Sequence, residues 1–217
     1  MEIYQIPAEV MMYQLLHQRI TTERFKVPYS SEETSKMLMA GVKAEVEKRY
    51  LKFDYNEHLK KQATQIAEWL TNDNPKFGLL LCGKCGNGKT TFVKSFQQLL
   101  NILNPKIRGF HIGMKIRDAR SISNICKRNY SLWDNICDEP MLTIDDLGIE
   151  PVEVLDFGNV LSPIVDLLTR RYDKQLFTIV TTNLTPKEIR EKYGTRIADR
   201  LNEMMEKVIF ENETYRK

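Results

Sequence analysis

Apolar and polar residues alternate along the chain in a way that predicts short strands separated by amphipathic helices. Apolar runs of strand length occupy 77–82, 140–144, 176–182 and 207–210, and a further strand is expected within 107–114, best at Gly109–Ile112. Apolar residues at helical spacing occupy 91–100, 118–129, 160–172, 185–193 and 195–205. Strands that alternate with helices predict an α/β fold, a three-layer sandwich with a mostly parallel five-stranded sheet.

The residues before the first predicted strand have helical patterns only. Helices are expected at 8–20, from Ser30 toward Tyr50, and at 56–71. Ser30 and Glu33 have the spacing of a capping box, which marks a helix start. We therefore predict two parts, a small N-terminal helical unit at 1–50 and the sheet-containing domain at 51–217.

The most informative motif is GKCGNGKT at 83–90, which matches the phosphate-loop pattern G-x-x-x-x-G-K-[ST]. Glycines allow a sharp turn whose backbone N–H groups point at phosphates, and the following helix directs its N-terminus at the same anion. A lysine adds a charge for the β and γ oxygens. The predicted nucleotide-binding residues are Gly83, Lys84, Cys85, Gly86, Asn87, Gly88, Lys89, Thr90 and Thr91.

Two acids, Asp145 and Asp146, end the predicted strand at 140–144. Ligands bind at the carboxyl ends of strands in open α/β sheets, so these side chains point to the nucleotide site. We predict that Thr90 and Asp145 hold Mg²⁺ and that Asp146 orients and polarises the attacking water. A plain turn with two aspartates before Leu147-Gly148 is the alternative.

Two later signals complete the candidate site. Asn183 ends the strand at 176–182, and its amide can reach the γ-phosphate and the water together if that strand lies beside the phosphate-loop strand. Arg196 and Arg200 are four residues apart and share a helix face. Either arginine can stabilise transition-state charge at a neighbouring subunit, or pair with acids on a solvated surface.

Charge is distributed unevenly although the net charge is only +3. Residues 101–130 carry seven basic side chains against one acidic, whereas 131–160 carry eight acids and no lysine or arginine. This contrast suggests one face for phosphates and another for metal or a basic partner, or else a solvated helix surface. The four cysteines lack the spacing of a zinc site and suit reduced thiols in the cytoplasm. No apolar run is long enough for a membrane span.

Five motifs occur in an order that resembles the DnaC/IstB group of AAA+ ATPases, which includes bacterial helicase loaders and transposition helper ATPases. They are GKCGNGKT at 83–90, IDDLG at 144–148, TTNL at 181–184, RIADRL at 196–201 and FENETYR at 210–216. The resemblance extends over about residues 52–217. Members tend to end in F-x-G-x-S-Y-R, whereas Asn212 and Thr214 replace the glycine and the serine here.

The resemblance implies a P-loop NTPase of the AAA+/ASCE type that hydrolyses ATP with Mg²⁺ in an ATP-dependent homo-oligomer. It places the arginine finger at Arg200, with Arg196 in reserve, and a second-sensor arginine that contacts nucleotide at Arg216. The predicted catalytic residues are therefore Lys89, Asp146, Asn183 and Arg200.

The resemblance further implies a helicase loader in the cytoplasm. Such a protein docks on a DnaB-type replicative helicase through its N-terminal helices and delivers it to single-stranded DNA, here contacted by the basic segment 106–128. An IstB-type transposition helper shares the same ATPase core. A small-molecule P-loop kinase is the alternative from another class, and Asn183, the paired acids and Arg200 speak against it. The same residues weaken a fourth interpretation, an inactive nucleotide-binding scaffold.

Overall fold

In the computed structural model, the residues whose structure is described are 6–17, 24–107, 109–156 and 158–215. They form nine helices and nine strands. The helices are α1 Ala8–His17, α2 Ser31–Glu47, α3 Glu57–Thr71, α4 Lys89–Leu103, α5 Ala119–Arg128, α6 Tyr130–Cys137, α7 Pro163–Asp173, α8 Pro186–Tyr193 and α9 Thr195–Met204. The strands are β1 Gly78–Gly83, β2 Lys106–Ile107, β3 Phe110–His111, β4 Lys115–Asp118, β5 Met141–Leu147, β6 Val154–Asp156, β7 Asn159–Leu161, β8 Phe177–Thr182 and β9 Met205–Phe210.

Five strands form one sheet in the order β4-β5-β8-β1-β9, and all four neighbouring pairs are parallel. The predicted five-stranded parallel sheet is therefore confirmed. Because β8 lies between β1 and β5, the carboxyl ends of these three strands are adjacent at one edge. In the register of this edge Cys82 pairs with Thr182, and Gly83 pairs with Phe210 of β9.

Helices cover both faces of the sheet, and β1 shows how the sequence specifies this. Leu79 and Leu81 lie in a hydrophobic cluster with α2, α3 and α4, whereas Leu80 lies in a second cluster with α5 to α9. Successive side chains of a strand point to opposite faces, so a continuous apolar run supplies both cores. The three-layer arrangement is thus confirmed.

The second strand of the domain is where the sequence prediction was wrong. The predicted strand at 107–114 is a short antiparallel hairpin of β2 and β3, and the strand in the main sheet is β4, from Lys115 to Asp118. β4 is an edge strand of four residues that alternate between exposed and half-buried. It therefore has no apolar run to mark it, and pairing with β5 alone defines it.

Three further elements differ from the prediction. Helix α6 and the hairpin of β6 and β7 were not expected, and α7 begins at Pro163 rather than Val160 because β7 occupies the preceding residues. Proline is favoured in the first turn of a helix, where its missing N–H needs no partner. The other predicted helices are present to within a few residues, except that 18–20 of the first lie outside the described residues.

Helix α2 packs into the core of the sheet-containing domain. Its Leu38 and Val42 are buried in the same cluster as Phe92 and Phe96 of α4. The hydroxyl of Ser95 donates a hydrogen bond to the carbonyl of Leu38 at 2.6 Å. The predicted capping box at its start is present, with Ser30 and Glu33 bonded reciprocally. The division of the chain at residue 50 thus stays a prediction. Helix α2 lies before this division, but its side chains pack into the hydrophobic core of the domain that follows it.

Helix α1 differs from α2 because it has no buried residue. Six of its apolar side chains are more than 40% exposed, namely Val10, Met11, Met12, Tyr13, Leu15 and Leu16. Its apolar surface is therefore available to contact another molecule. Separately, none of the helices in the described part of the chain is long and apolar enough to cross a membrane.

Candidate functional site

The phosphate loop follows β1 and ends where α4 begins at Lys89. Gly88 immediately precedes the helix with a φ of 99°, a left-handed conformation that glycine adopts without strain. Gly83 is close to β9, since a Cβ on it would lie 2.4 Å from the carbonyl oxygen of Phe210. The side chain of Asn87 donates to that same oxygen at 2.8 Å. The loop is therefore fixed to the neighbouring strand before any ligand binds.

Lys89 lies inside the loop and is 5% exposed. Its Nζ contacts the carbonyl oxygens of Gly83 at 2.6 Å and Lys84 at 2.9 Å, and the side-chain oxygens of Asn183 at 2.9 Å and Asn87 at 3.1 Å. Burial lowers the pKa of Lys89, and the nearby Asp146 carboxylate opposes this shift. The ammonium group thus lies between the loop and the tip of β8, where an anionic group can replace its neutral acceptors.

Thr90 and Asp145 are in direct contact at the edge of the sheet. The Thr90 hydroxyl lies 3.1 Å and 3.2 Å from the two carboxylate oxygens of Asp145, and the hydroxyl of Thr181 donates to Oδ1 of Asp145 at 2.6 Å. One hydroxyl and one carboxylate suit Mg²⁺, which prefers oxygen ligands and completes its shell with water and phosphate. This donor set therefore fits the predicted metal role of both residues.

Asp146 has an unusual backbone conformation, with a φ of 53°. Its N–H donates to the hydroxyl of Thr181 at 2.9 Å, and the same hydroxyl donates to Asp145. Thr181 thereby holds both acids in place from the adjacent strand. A non-glycine residue in the left-handed region costs about 1 kcal/mol, and such residues are enriched at functional sites and in turns.

Asn183 lies at the end of β8, which pairs with β1 on one side and β5 on the other. The condition for its predicted role, a position beside the phosphate-loop strand, is met. Its Oδ1 accepts the hydrogen bond from Lys89. The structure therefore brings Lys89, Thr90, Asp145 and Asn183 together at one edge of the sheet. Asp146 directly follows Asp145 in the sequence.

The two candidate finger arginines lie on α9 in different environments. Arg196 is exposed. The side chain of Arg200 is 15% exposed, its guanidinium lies 4.9 Å from the ring centre of Tyr172, and its Nη2 is 3.5 Å from Asp173. Its Nη1 is buried and has no hydrogen-bond partner among the described residues. Asp199 binds Arg190 and Glu203 binds Tyr172, so the acid that pairs with Arg200 is the exposed Asp173.

The end of the chain folds over the phosphate loop, which sequence reasoning did not locate. The N–H of Tyr215 donates to the carbonyl of Gly86 at 2.9 Å, and its ring lies 3.7 Å from the position of a Cβ on Gly88. Asn212 donates to the carbonyl of Asn87 at 3.1 Å and accepts from Gln62 of α3 at 2.9 Å. The closing FENETYR motif was the available signal. Arg216, predicted to contact nucleotide, lies outside the described residues.

The segment between α2 and α3 also reaches this region. Nη2 of Arg49 lies 3.3 Å from the hydroxyl of Thr91, and the side chain of Asn56 donates to the hydroxyl of Tyr215 at 3.1 Å. These groups lie beside the first turn of α4, next to the phosphate-binding residues. They place hydrogen-bonding and aromatic groups beside the phosphate loop.

The basic segment 106–128 is exposed at every described basic residue, namely Lys106, Lys115, Arg117, Arg120, Lys127 and Arg128. Phe110 and Tyr130 are 78% and 58% exposed beside it. Within the acidic run that follows, Asp134 and Asp138 pair with Arg170, and Glu150 is buried. The sharp sign change in sequence therefore marks a basic surface, but several of the acids are used within the fold.

All four cysteines lie among the described residues, and none of them forms a disulfide. Within the described ranges, no group of three or more histidine, cysteine or acidic side chains is arranged to hold a metal ion. Thr90 and Asp145, the predicted Mg²⁺ ligands, therefore do not form a complete ligand set by themselves within these ranges.

Comparison with protein-family models and with curated protein sequences finds no match. Solved structures do match. A DnaC helicase loader is 20% identical with a TM-score of 0.58, covering 74% of this chain and 94% of that one. A putative primosome component from Streptococcus pyogenes serotype M3 is 20% identical with a TM-score of 0.56, covering 74% and 84%.

A structure of DnaI is also 20% identical, with a TM-score of 0.57, and the alignment covers 83% of this chain and 93% of that one. DnaA from Aquifex aeolicus, bound to AMPPCP, is 12% identical with a TM-score of 0.54, over 74% of this chain. At such identities the likeness concerns the fold. The chain therefore has the fold of the DnaC-like AAA+ proteins, as the order of its five motifs predicted.

Proposed function

We propose that the chain binds Mg²⁺-ATP at the phosphate loop and hydrolyses it as part of a homo-oligomer. The observation that supports this most directly is the convergence of Lys89, Thr90, Asp145 and Asn183 at the carboxyl edge of three adjacent strands. These residue types are the ones that phosphoryl-transfer chemistry uses, a cation for the β and γ oxygens, magnesium ligands and a polar group for the water.

In this proposal each residue of the site has a role that suits the groups it contacts. Lys89 exchanges its neutral acceptors for phosphate oxygens, which are stronger partners because they are charged. Thr90 and Asp145 hold Mg²⁺, which neutralises charge on the phosphates when bound. Asp146 and Asn183 orient the attacking water, and Asp146 accepts its proton. The predicted binding residues 83–91 supply backbone N–H groups and the start of α4 to the anion.

The arginine for the transition state comes from a neighbouring copy. Arg200 is our first choice because the resemblance to the DnaC/IstB group places the finger there, and its Nη1 has no acceptor among the described residues. Arg196 on the same helix is exposed and is the second choice. An ATP-dependent oligomer follows, since the bound nucleotide joins the two subunits.

We infer that the biological role is that of a cytoplasmic loader that places a DnaB-type replicative helicase on single-stranded DNA. Support comes from the shared fold with a DnaC helicase loader and a DnaI structure, from the exposed apolar surface of α1 within 1–50, and from the exposed basic segment 106–128. In this proposal α1 contacts the helicase and the basic segment contacts DNA phosphates.

A reconstituted loading assay tests this proposal with the full chain. A hexameric DnaB-type helicase, a single-stranded circle coated with binding protein and ATP are combined, and helicase transferred to the circle is measured. We expect transfer with the native chain and its loss with Leu15→Glu/Leu16→Glu on α1. The matched control is Ile102→Glu on α4, which changes an exposed apolar residue outside the unit 1–50. ATP hydrolysis without any transfer would instead favour the transposition helper, to be tested with a transposase.

The kinase alternative is separated by a simpler measurement. We expect ATP to be converted to ADP and phosphate with water as the acceptor, and single-stranded DNA to stimulate the rate. Phosphate transfer to a small-molecule acceptor in place of hydrolysis would contradict the proposal.

A further inference from the structure

A cluster of buried polar groups lies directly beyond the acidic pair, where the turn after β5 meets the end of α8. Its members are Gly148, Glu150, Lys192 and Tyr193. None of them belongs to the predicted nucleotide, metal or finger residues. Their arrangement connects the turn that contains Asp146 with the helix that carries the candidate finger arginines.

Glu150 is the centre of the cluster and is 2% exposed. Its carboxylate accepts from the N–H of Gly148 at 2.9 Å and from the hydroxyl of Tyr193. The ammonium of Lys192 donates to the carbonyl oxygens of Glu150 at 2.7 Å and of Gly148. Two consecutive residues of α8 therefore bind both the side chain and the backbone of this turn.

The polar groups of the cluster are hydrogen-bonded to one another, and these bonds hold the four residues in one arrangement. Burial and the hydrogen bond to Glu150 raise the pKa of Tyr193, which favours the protonated hydroxyl that donates to Glu150. The Glu150–Tyr193 bond is buried, where hydrogen bonds are electrostatically strong, and the bonds of Gly148 and Lys192 are half-buried. Removing one member leaves the others unpaired, which is costly in such a site.

On one side the cluster holds the catalytic turn. Asp146, with its positive φ, lies two residues before Gly148. Gly148 packs against Leu184, the residue after Asn183, so closely that a Cβ on it would lie 2.7 Å from the leucine side chain. The turn that contains Asp146 is therefore packed against the residue that follows Asn183.

On the other side the cluster controls the start of α9. Tyr193 is followed by Gly194, which has a φ of 84° and separates α8 from α9. Helix α9 carries Arg196 and Arg200. The turn that holds Asp146 and the helix that carries the finger are thus joined through one buried cluster and a single glycine.

We propose that Glu150, Lys192 and Tyr193 are positioning residues that couple a subunit's own nucleotide site to the arginine it offers to its neighbour. This rests on the proposed function. In an assembly the acid and the arginine of one chain serve two different sites, so a rigid link between them makes the state of one site alter hydrolysis at the next. A γ-phosphate that engages Asn183 and Asp146 shifts the turn, and the cluster transmits the shift to α9 through Gly194.

The first test measures this transmission inside a single subunit. Amide hydrogen exchange of residues 195–204 is followed in the full chain with and without Mg²⁺ and AMPPCP, below the concentration at which it assembles. We expect nucleotide to slow exchange in α9 about tenfold in the native chain and to have little effect on it in Tyr193→Phe. Ile189→Val is the matched control, because it loosens the packing of the same helix without touching the cluster.

The second test measures coupling between sites. We expect the rate of ATP hydrolysis by the assembled native chain to rise cooperatively with ATP, and the Hill coefficient to fall to about 1 in Tyr193→Phe while AMPPCP affinity is retained. Glu150→Gln keeps an acceptor for the tyrosine hydroxyl and should preserve more cooperativity than Glu150→Ala. A merely structural role would lower thermal stability in these variants without this ranking.

The possible results distinguish a failure of the coupling between sites from a failure of the proposed ATPase function. If AMPPCP binds but exchange in α9 does not respond in the native chain, the coupling is wrong and the ATPase proposal stands. Equal exchange responses and equal Hill coefficients in the native chain and both Tyr193→Phe and Glu150→Ala also overturn it. If AMPPCP does not bind, the proposed function fails, and the coupling fails with it.

Discussion

The phosphate loop and helix α9 each hold a cation largely withdrawn from solvent, but they satisfy it in different ways. Nζ of Lys89 meets four oxygen acceptors from its own chain. Arg200 stacks on Tyr172 and approaches Asp173, while its buried Nη1 has no acceptor among the described residues. A buried donor without a partner costs roughly 1–3 kcal/mol. The bonding of Lys89 is thus complete within one chain, whereas that of Arg200 is not, as the proposed role of α9 in a neighbouring site requires.

A third cation, Arg171, shows what a structural arginine looks like in this fold. It is fully buried, and it donates to the hydroxyl of Thr178 and to the carbonyl oxygens of Cys137, Glu139 and Phe177. Burial lowers its pKa to about 10. Arg171 joins the end of α7 to the beginnings of β5 and β8. Arg200 differs from this arrangement, because one of its donors has no acceptor among the described residues.

The first prediction concerns the arginine of α9, whose removal should have the strongest effect on hydrolysis. Arg200→Ala should reduce hydrolysis by the assembled protein about a thousandfold, or about 4 kcal/mol of transition-state stabilisation, because an arginine finger meets the charge that develops on the phosphoryl group. Steady-state turnover is measured at rising protein concentration, with Arg196→Ala in parallel. If Arg196→Ala has the larger effect, the exposed arginine is the finger.

The second prediction concerns stability and separates Arg171 from Arg200. Arg171→Leu should lower the free energy of unfolding by about 3 kcal/mol, since it leaves three buried carbonyl oxygens without a donor. Arg200→Leu should leave stability unchanged within about 1 kcal/mol, because it removes an unsatisfied donor and keeps apolar contact with Tyr172. Urea titrations give both values. Comparable losses would mean that Arg200 is structural as well.

The third prediction tests the acid that follows Asp145. Asp146→Asn should slow turnover about a hundredfold, because an amide cannot accept the proton of the water, while AMPPCP affinity stays close to native. Single-turnover hydrolysis and a binding titration are the two measurements. Asp145→Asn is the contrasting variant and should change the Mg²⁺ concentration required. Normal turnover in Asp146→Asn would place activation of the water elsewhere.

The fourth prediction concerns Lys89, whose ammonium group meets four acceptors from its own chain. Lys89→Ala should weaken ATP binding by about 2 kcal/mol, or roughly thirtyfold, because a charged donor to the phosphates is removed. Lys84→Ala is the matched control, since that side chain is exposed and only its backbone belongs to the loop. Fluorescence titration with a labelled nucleotide gives both affinities. Unchanged affinity in Lys89→Ala would refute the loop assignment.

The smallest expected effect concerns the basic surface. Charge reversal at Arg117, Arg120, Lys127 and Arg128 should flatten the salt dependence of single-stranded DNA binding, by about 0.7 in the log–log slope for each phosphate that the protein no longer neutralises. Reversal of Lys60 and Lys187, which are exposed on other helices, is the control. Equal slopes in both sets would move the DNA path away from 106–128.

Sequence reasoning worked best where the required residues are contiguous. The phosphate loop and the Asp145–Asp146 pair are local patterns, and each followed an apolar run that formed the expected strand. It failed at β4, an edge strand whose polar residues give no periodic signal and which exists through pairing with β5. It also missed α6 and the β6–β7 hairpin, for which no periodic pattern had been identified.

By itself the amino-acid sequence determined the alternation of helices and strands, the phosphate loop and the acids, because these depend on spacing along the chain. Only the tertiary structure decided which distant residues meet. Strand order placed Asn183 beside Lys89, chain folding carried Tyr215 onto Gly86, and helix packing buried Glu150 against Tyr193. Such contacts join residues far apart in sequence, and their geometry depends on how whole layers pack rather than on any local pattern.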